Sequence, residues 1–349
     1  MLQPIAAAIG PGTPPTLHVL LTGVQTGPLA LAADAVEAAA LLAYALGVRR
    51  LQRRGRRWPV GAAASWAAGV AVVWVAVGSG LAAYDNVDIS LHVVQHVVLM
   101  MVAAPLLALG RPLTMAAQAA GRPLQRRVVR LANSRVLHAV THPVPTTAVY
   151  YATMYGFFLS PLYAYAVTHP LFHDATHLVF LGAGYLYWQP LVGGDPGRSR
   201  RSHLGRIVTL LVGMPFEGVL GVVLSGASWS ISPVNTVAQT QAGGQVFLAM
   251  SMLASGLWAL WLGWDWLADA TRTAGRDDRR AALAVADSRR RLEVAATAAG
   301  TTEAVPAGWW VPEWRIRELE ELAADGGDAA DDDVPPLRWP AGGCPGTGR

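Results

Sequence analysis

The chain has no lysine and a single cysteine. Cys344 lies in a Pro/Gly-rich tail, which excludes a disulfide framework and any Cys-x-x-Cys site. Metal chemistry therefore falls to His, Met, Asp or Glu. Charge is scarce: 14% of the 349 residues are charged and 53% are hydrophobic, whereas soluble domains are about 25% charged. The signatures of nucleotide handling and hydrolysis are missing as well. There is no Walker sequence, no dinucleotide-binding glycine fingerprint, no HExxH and no serine elbow, so the chain reads as non-enzymatic.

Positive charge is present but confined. All 27 basic residues are arginines, and they fall in the windows 49–57, 111–135, 198–206 and 272–349. Basic residues of a soluble protein scatter over every exposed face. Periodic exclusion is what the positive-inside rule produces when alternate loops stay in the cytoplasm. The sequence pI near 9.5 is then a juxtamembrane property, and it points to anionic lipid headgroups rather than nucleic acid.

A span needs roughly 20 apolar residues to cross about 30 Å. Seven windows qualify, at about 28–48, 59–83, 89–109, 136–158, 171–192, 207–229 and 244–267. The expected fold is all-α: a polytopic bundle of about seven spans in the cell membrane, N-terminus outside and C-terminus inside. Residues 1–27 lack a positively charged start and a small-residue cleavage site, and are read as a retained extracytoplasmic leader. Tyr84, Tyr163, Tyr165 and Trp229 fall near outer ends, and Trp58, Trp188 and Trp266 near inner ends, as interfacial belts would. Residues 268–349 are a different polymer, with 15 acidic residues and 11 arginines. They read as a cytoplasmic helix over 276–299 followed by largely disordered sequence.

Ionisable groups inside a membrane cost at least a few kcal/mol each, so each marks a candidate site. His92, His96 and Met100 recur at i, i+4 and i+8 in the third span, on one helical face. His173 and His177 repeat the spacing in the fifth, with His169 one turn earlier. Both pairs lie within two turns of the outer surface, so four imidazoles sit at similar depth with a thioether below. That donor set suits copper, and imidazole pairs also suit haem iron. Interhelical hydrogen bonding near a wet interface is the competing account. Asp174, Asp34 and Glu37 are nearby carboxylates able to orient an imidazole. Glu217, in the middle of the sixth span, is a candidate ligand, an orienting carboxylate, or a packing acid. His138 and His142 enter from the cytoplasmic side and read as interface caps. His18 and His203 are loop histidines.

Residues 90–112, SLHVVQHVVLMMVAAPLLALGRP, resemble the signature of the CtaG family of multi-span cytochrome c oxidase assembly factors, in its actinobacterial form. The arginine-rich run at 51–58, LQRRGRRW, and the segment 173–191, HDATHLVFLGAGYLYWQPL, followed by VGGDP, are similar to further family segments. The resemblance covers roughly residues 28–290. It implies a membrane-embedded protein that acts in assembling a copper-containing oxidase, with oxidase subunits as partners and copper handling at His92, His96, His173 and His177. Where the family commonly has a sixth-span His, this chain has Glu217. A bis-histidine haem redox protein and a copper transporter are the alternatives that would use the same residues.

Overall fold

The computed structural model describes residues 27–85, 88–121, 141–193, 202–301 and 313–324, with scattered single positions between them. The described residues form helices and no strand beyond an isolated bridge, Val24 to Ser79. In chain order the helices are α1 (Pro28–Arg53), α2 (Val60–Val77), α3 (Leu81–Tyr84) and α4 (Ile89–Val98). A π-helical segment, Leu99–Ala103, then leads into α5 (Ala104–Leu109) and α6 (Pro112–Ala119). After these come α7 (Pro143–Phe158), α8 (Leu162–Ala166), α9 (Pro170–Val192), α10 (His203–Ser225), α11 (Val237–Ala298) and α12 (Glu313–Ala324). Proline opens α1, α6, α7 and α9, where its missing N–H costs nothing.

Among the described residues, five stretches are long and apolar enough to cross a bilayer: Pro28–Arg53, Val60–Val77, Ile89–Ala119, His203–Ser225 and Val237–Ala298. The other two expected spans correspond to α7 and α9. Helix α7 is described over 16 residues, about 24 Å at 1.5 Å per residue, and the first part of its window lies outside the described residues. Helix α9 has 23 residues but carries His173, Asp174 and His177, which lower its mean hydropathy.

The stretch through α4, the π segment and α5 is the most buried of the five, and α1 the least. Gly184 of α9 faces the π segment so closely that a Cβ there would come within 2.7 Å of the Met100 carbonyl. Glycine at this position sets the separation of the two central helices. The π segment has a local cause in Pro105. Proline offers no N–H to the carbonyl four residues back, that of Met101. The Trp258 indole of α11 donates to that carbonyl at 2.8 Å instead. Around this crossing the core is largely aromatic, with Tyr150, Phe157, Phe158, Tyr163, Phe180, Trp188 and Phe247 buried.

Several expected belt residues are therefore core residues. Tyr84, Tyr163 and Trp188 are buried, Trp188 on a face that meets Trp258 of α11. Tyr165, Trp229 and Trp266 are exposed, as a belt requires. Trp58 donates its indole N–H to Tyr44 at 2.9 Å.

The chain divides into two compact units at Trp264 and Asp265, close to the expected start of the charged tail. In the second unit, α12 stands where the sequence reads as disordered. Ile316 and Leu319 make an apolar stripe that its acidic composition hides. They pack with Leu292, Ala295, Ala296 and Ala299 from the end of α11. Ion pairs from Arg291 to Glu313 and Glu320 flank the contact. The leader before residue 16 and residues 325–349 lie outside the described residues.

Candidate metal centre

The two HxxxH pairs meet. Helix α4 begins with Asp88, whose carboxylate accepts the Ser90 N–H and fixes the turn from which His92 and His96 project. Helix α9 begins with Pro170 and presents His173 and His177 one turn apart. The four rings form a closed square. Centroid separations are 4.5 Å for His92–His96, 5.1 Å for His92–His173, 5.5 Å for His96–His177 and 4.6 Å for His173–His177. All four are buried. Phe157, Tyr163 and Phe180 wall the square, with Phe180 4.0 Å from the His96 ring.

Hydrogen bonds set the ring orientations. His92 Nδ1 lies 3.2 Å from the Asp85 backbone carbonyl, and a carbonyl only accepts, so this nitrogen carries the proton. In a neutral ring Nε2 of His92 is then an acceptor, and it receives His96 Nε2–H at 2.8 Å. His96 Nδ1, His173 Nε2 and His177 Nε2 are buried and make no hydrogen bond. Leaving such groups unsatisfied costs about 1–3 kcal/mol each, unless something binds them.

A carboxylate completes the group. Asp85, buried in the loop before α4, places Oδ2 3.6 Å from His173 Nε2. One ligating atom from each of Asp85, His173 and His177 lies within 4.8 Å of the others. An ion bound at about 2 Å to each draws such atoms closer together, so binding requires side-chain contraction of about 1 Å. Asp85 is absent from the sequence reading. Its signal is faint: an acid seven residues before His92, in a loop that also holds Asp88. Asp174 lies at the margin, 3.7 Å from His173 Nδ1 and 43% exposed.

Other expected site residues are placed elsewhere. Met100 is buried inside the π segment, with its backbone against Gly184. Glu217 is buried, but its Oε2 accepts from Ser255 at 2.7 Å and its other close neighbour is the Tyr151 hydroxyl. It belongs to a cluster with Tyr150, Tyr151 and Tyr187, not to the imidazoles. His169 stacks on Tyr165 at 3.8 Å, exposed and hydrogen-bonded locally. His142 caps α7 by accepting the Val144 N–H, as expected for a cap, while His138 lies outside the described residues.

Comparison with known proteins supplies the family. A profile of the cytochrome c oxidase caa3 assembly factors, CtaG type, matches residues 42–269, which hold all four histidines and Asp85. An uncharacterised protein of Mycobacterium bovis and one of Mycobacterium tuberculosis are each 31% identical over 292 residues, 78% of this chain and 44% of theirs. An uncharacterised protein of Mycobacterium leprae is 29% identical over 264 residues, 70% of this chain and 40% of its own. The chain thus spans less than half the length of these curated relatives. No solved structure matches it significantly. The match from Leu42 into the start of the tail covers most of the chain, and the chain belongs to the family of cytochrome c oxidase caa3 assembly factors.

Proposed function

We propose that this chain acts in the cell membrane as an assembly factor for a haem–copper cytochrome c oxidase, holding copper for delivery to oxidase subunits. The ion is cargo, bound among His92, His96, His173, His177 and Asp85 near the extracytoplasmic surface. One observation carries this reading: His173 and His177 each keep a buried Nε2 without a hydrogen-bond partner, and one ligating atom of each ring converges with the Asp85 carboxylate. Imidazole suits copper, and in the fourth ring, His92, Nε2 is the unprotonated nitrogen, accepting from His96 in the metal-free geometry. Membership of an assembly-factor family supports a role other than catalysis.

Bis-histidine haem fits less well. A porphyrin clamped between axial imidazoles needs those rings apart. Here His92 and His96 touch through their Nε2 atoms, and Phe180 packs on His96. The proposed topology is seven spans with the arginine windows inside, which puts both HxxxH pairs in the outer leaflet.

Purified protein loaded with Cu(I) and then desalted tests the function. The expected result is copper retained stoichiometrically by elemental analysis, without a Soret band. Iron with a Soret band, or no retained copper, defeats the proposal. Single-cysteine labelling in a Cys344→Ser background tests the orientation. Loops 159–170 and 230–236 should label from outside intact cells and the tail should not.

A further inference from the structure

The imidazole square is not sealed on the lipid side. A cavity of about 770 Å³ lies between α1, α2 and α9, and Asp85, His173 and His177 form part of its wall. From α1 its lining includes Ala30, Ala33, Glu37 and Ala40, which share one helical face, with Leu29, Ala32 and Val36 beside them. Three alanines leave the space, and Glu37 puts a carboxylate into it midway along a membrane helix. With Asp85 and Asp174 the wall carries three carboxylates and two imidazoles on an otherwise apolar surface, and no arginine. That donor set attracts a cation and has nothing to hold an anion.

The mounting of α1 explains the opening. Its buried residues, Tyr44, Gly47 and Leu51, all lie in its last ten positions. There Tyr44 stacks on Trp66 at 5.1 Å and donates to the Gly110 carbonyl at 2.6 Å. Ahead of the helix, Gln25 N–H bonds the Gly78 carbonyl and Val24 pairs with Ser79. The stretch between these two anchors has no buried residue, and Leu29, Leu31 and Val36 are exposed. Helix α1 is thus held at both ends and stands off the bundle in the middle, where the cavity lies.

We propose that this cavity is the exchange chamber of the metal site, through which a copper ion passes laterally between the imidazoles and a membrane-embedded partner, with Glu37 as the intermediate ligand. The proposal rests on copper binding at the histidines. A carboxylate exposed to hydrocarbon is costly, and a transient cation partner gives Glu37 a function that lipid contact does not. Water-side exchange would leave Glu37 and the alanine face without one.

The test uses the full chain in lipid nanodiscs, loaded with Cu(I), with release followed into a lipid-soluble chelator and into a sulfonated, water-soluble one. Wild type should release faster to the lipid-soluble chelator. Ala33→Trp, which fills the chamber, should slow that release by about tenfold, equivalent to about 1.4 kcal/mol on the barrier, without changing the equilibrium affinity. Glu37→Gln should slow both loading and release relative to wild type. If wild type retains copper but both variants exchange at the wild-type rate, or if the sulfonated chelator is the faster for all, the chamber is refuted and the copper site stands. If wild type retains no copper, both readings fall together.

Discussion

Helix α9 carries a buried polar cluster in each half: His173 and His177 in its first two turns, Tyr187 and Trp188 in its last two. The ten residues from His177 to Tyr187 span about 15 Å, so the clusters are separate. The first assembles nitrogen donors from two helices, leaves three of them without hydrogen bonds, and opens on a cavity. The second assembles phenols, Glu217 and Ser255 from four helices. Its carboxylate has a hydrogen-bond donor at 2.7 Å, and its rings are stacked, Tyr150 on Tyr187 at 4.2 Å. Both bury groups that are expensive in a membrane. Both also keep buried polar atoms without a hydrogen-bond partner, Glu217 Oε1 and the Tyr150 hydroxyl among those of the second. The difference lies in donor type and access: the first offers imidazoles that border a cavity, whereas the phenols and Glu217 of the second do not line it.

The sharpest way to break this contrast is to remove a donor nitrogen. His177→Ala or His96→Ala should weaken copper binding by more than about 100-fold, beyond the 10–100-fold typical for losing a group that merely orients a ligand. The protein should remain inserted, and His142→Ala should bind as wild type because that ring only caps α7. Copper per chain by elemental analysis, with competition against a chelator, measures both. Equal loss from His142→Ala would remove the claim that the four-ring square is special.

Asp85→Asn ranks next. The carboxylate lies 3.6 Å from His173 Nε2, either as ligand or as the group that orients the ring. The amide keeps the shape and loses the charge, so affinity should fall by about 10–100-fold. Unchanged affinity in the same competition assay would return the site to the four histidines alone.

How far the sequence reached follows the range of the interactions. The imidazole pairs were legible because HxxxH is local to one helix, and equal depth within two spans follows from counting residues from the outer end. All-α architecture was legible for the same reason. Asp85 was not, because a loop acid has no periodicity to mark it. Glu217 was visible as a charge out of place, but its partners Tyr151 and Ser255 come from distant segments, and tyrosines in a span look like core or interface. The apolar stripe of α12 was masked by its charged neighbours.

Glu217→Gln tests the separateness of the clusters directly. The amide oxygen still accepts from Ser255, so copper retention should stay within about twofold of wild type and thermal stability in detergent should change by less than about 1 kcal/mol. Glu217→His should not add copper affinity, because its neighbours are phenols rather than imidazoles. A large loss of copper on Glu217→Gln would join the two clusters and restore Glu217 to the metal site.

The smallest expected effect concerns the hinge between them. Trp258 donates to the Met101 carbonyl, the acceptor that Pro105 leaves without its backbone partner, and the π segment it steadies runs from the imidazole helix α4 into α5. Trp258→Phe keeps most of the packing against Trp188 and removes the donor. Interhelical hydrogen bonds in membranes are worth about 0.6 kcal/mol on average and at most about 1.7, so the melting temperature in detergent should fall only slightly. The second change decides the cause. Pro105→Ala restores an N–H four residues after Met101, so in the Trp258→Phe background it should recover the lost stability. In the wild-type background the new N–H competes for an acceptor already bonded to the indole, and the gain should be smaller. Equal effects of Pro105→Ala in the two backgrounds would show that the indole and the proline are not linked through the Met101 carbonyl, and that the π segment has another origin.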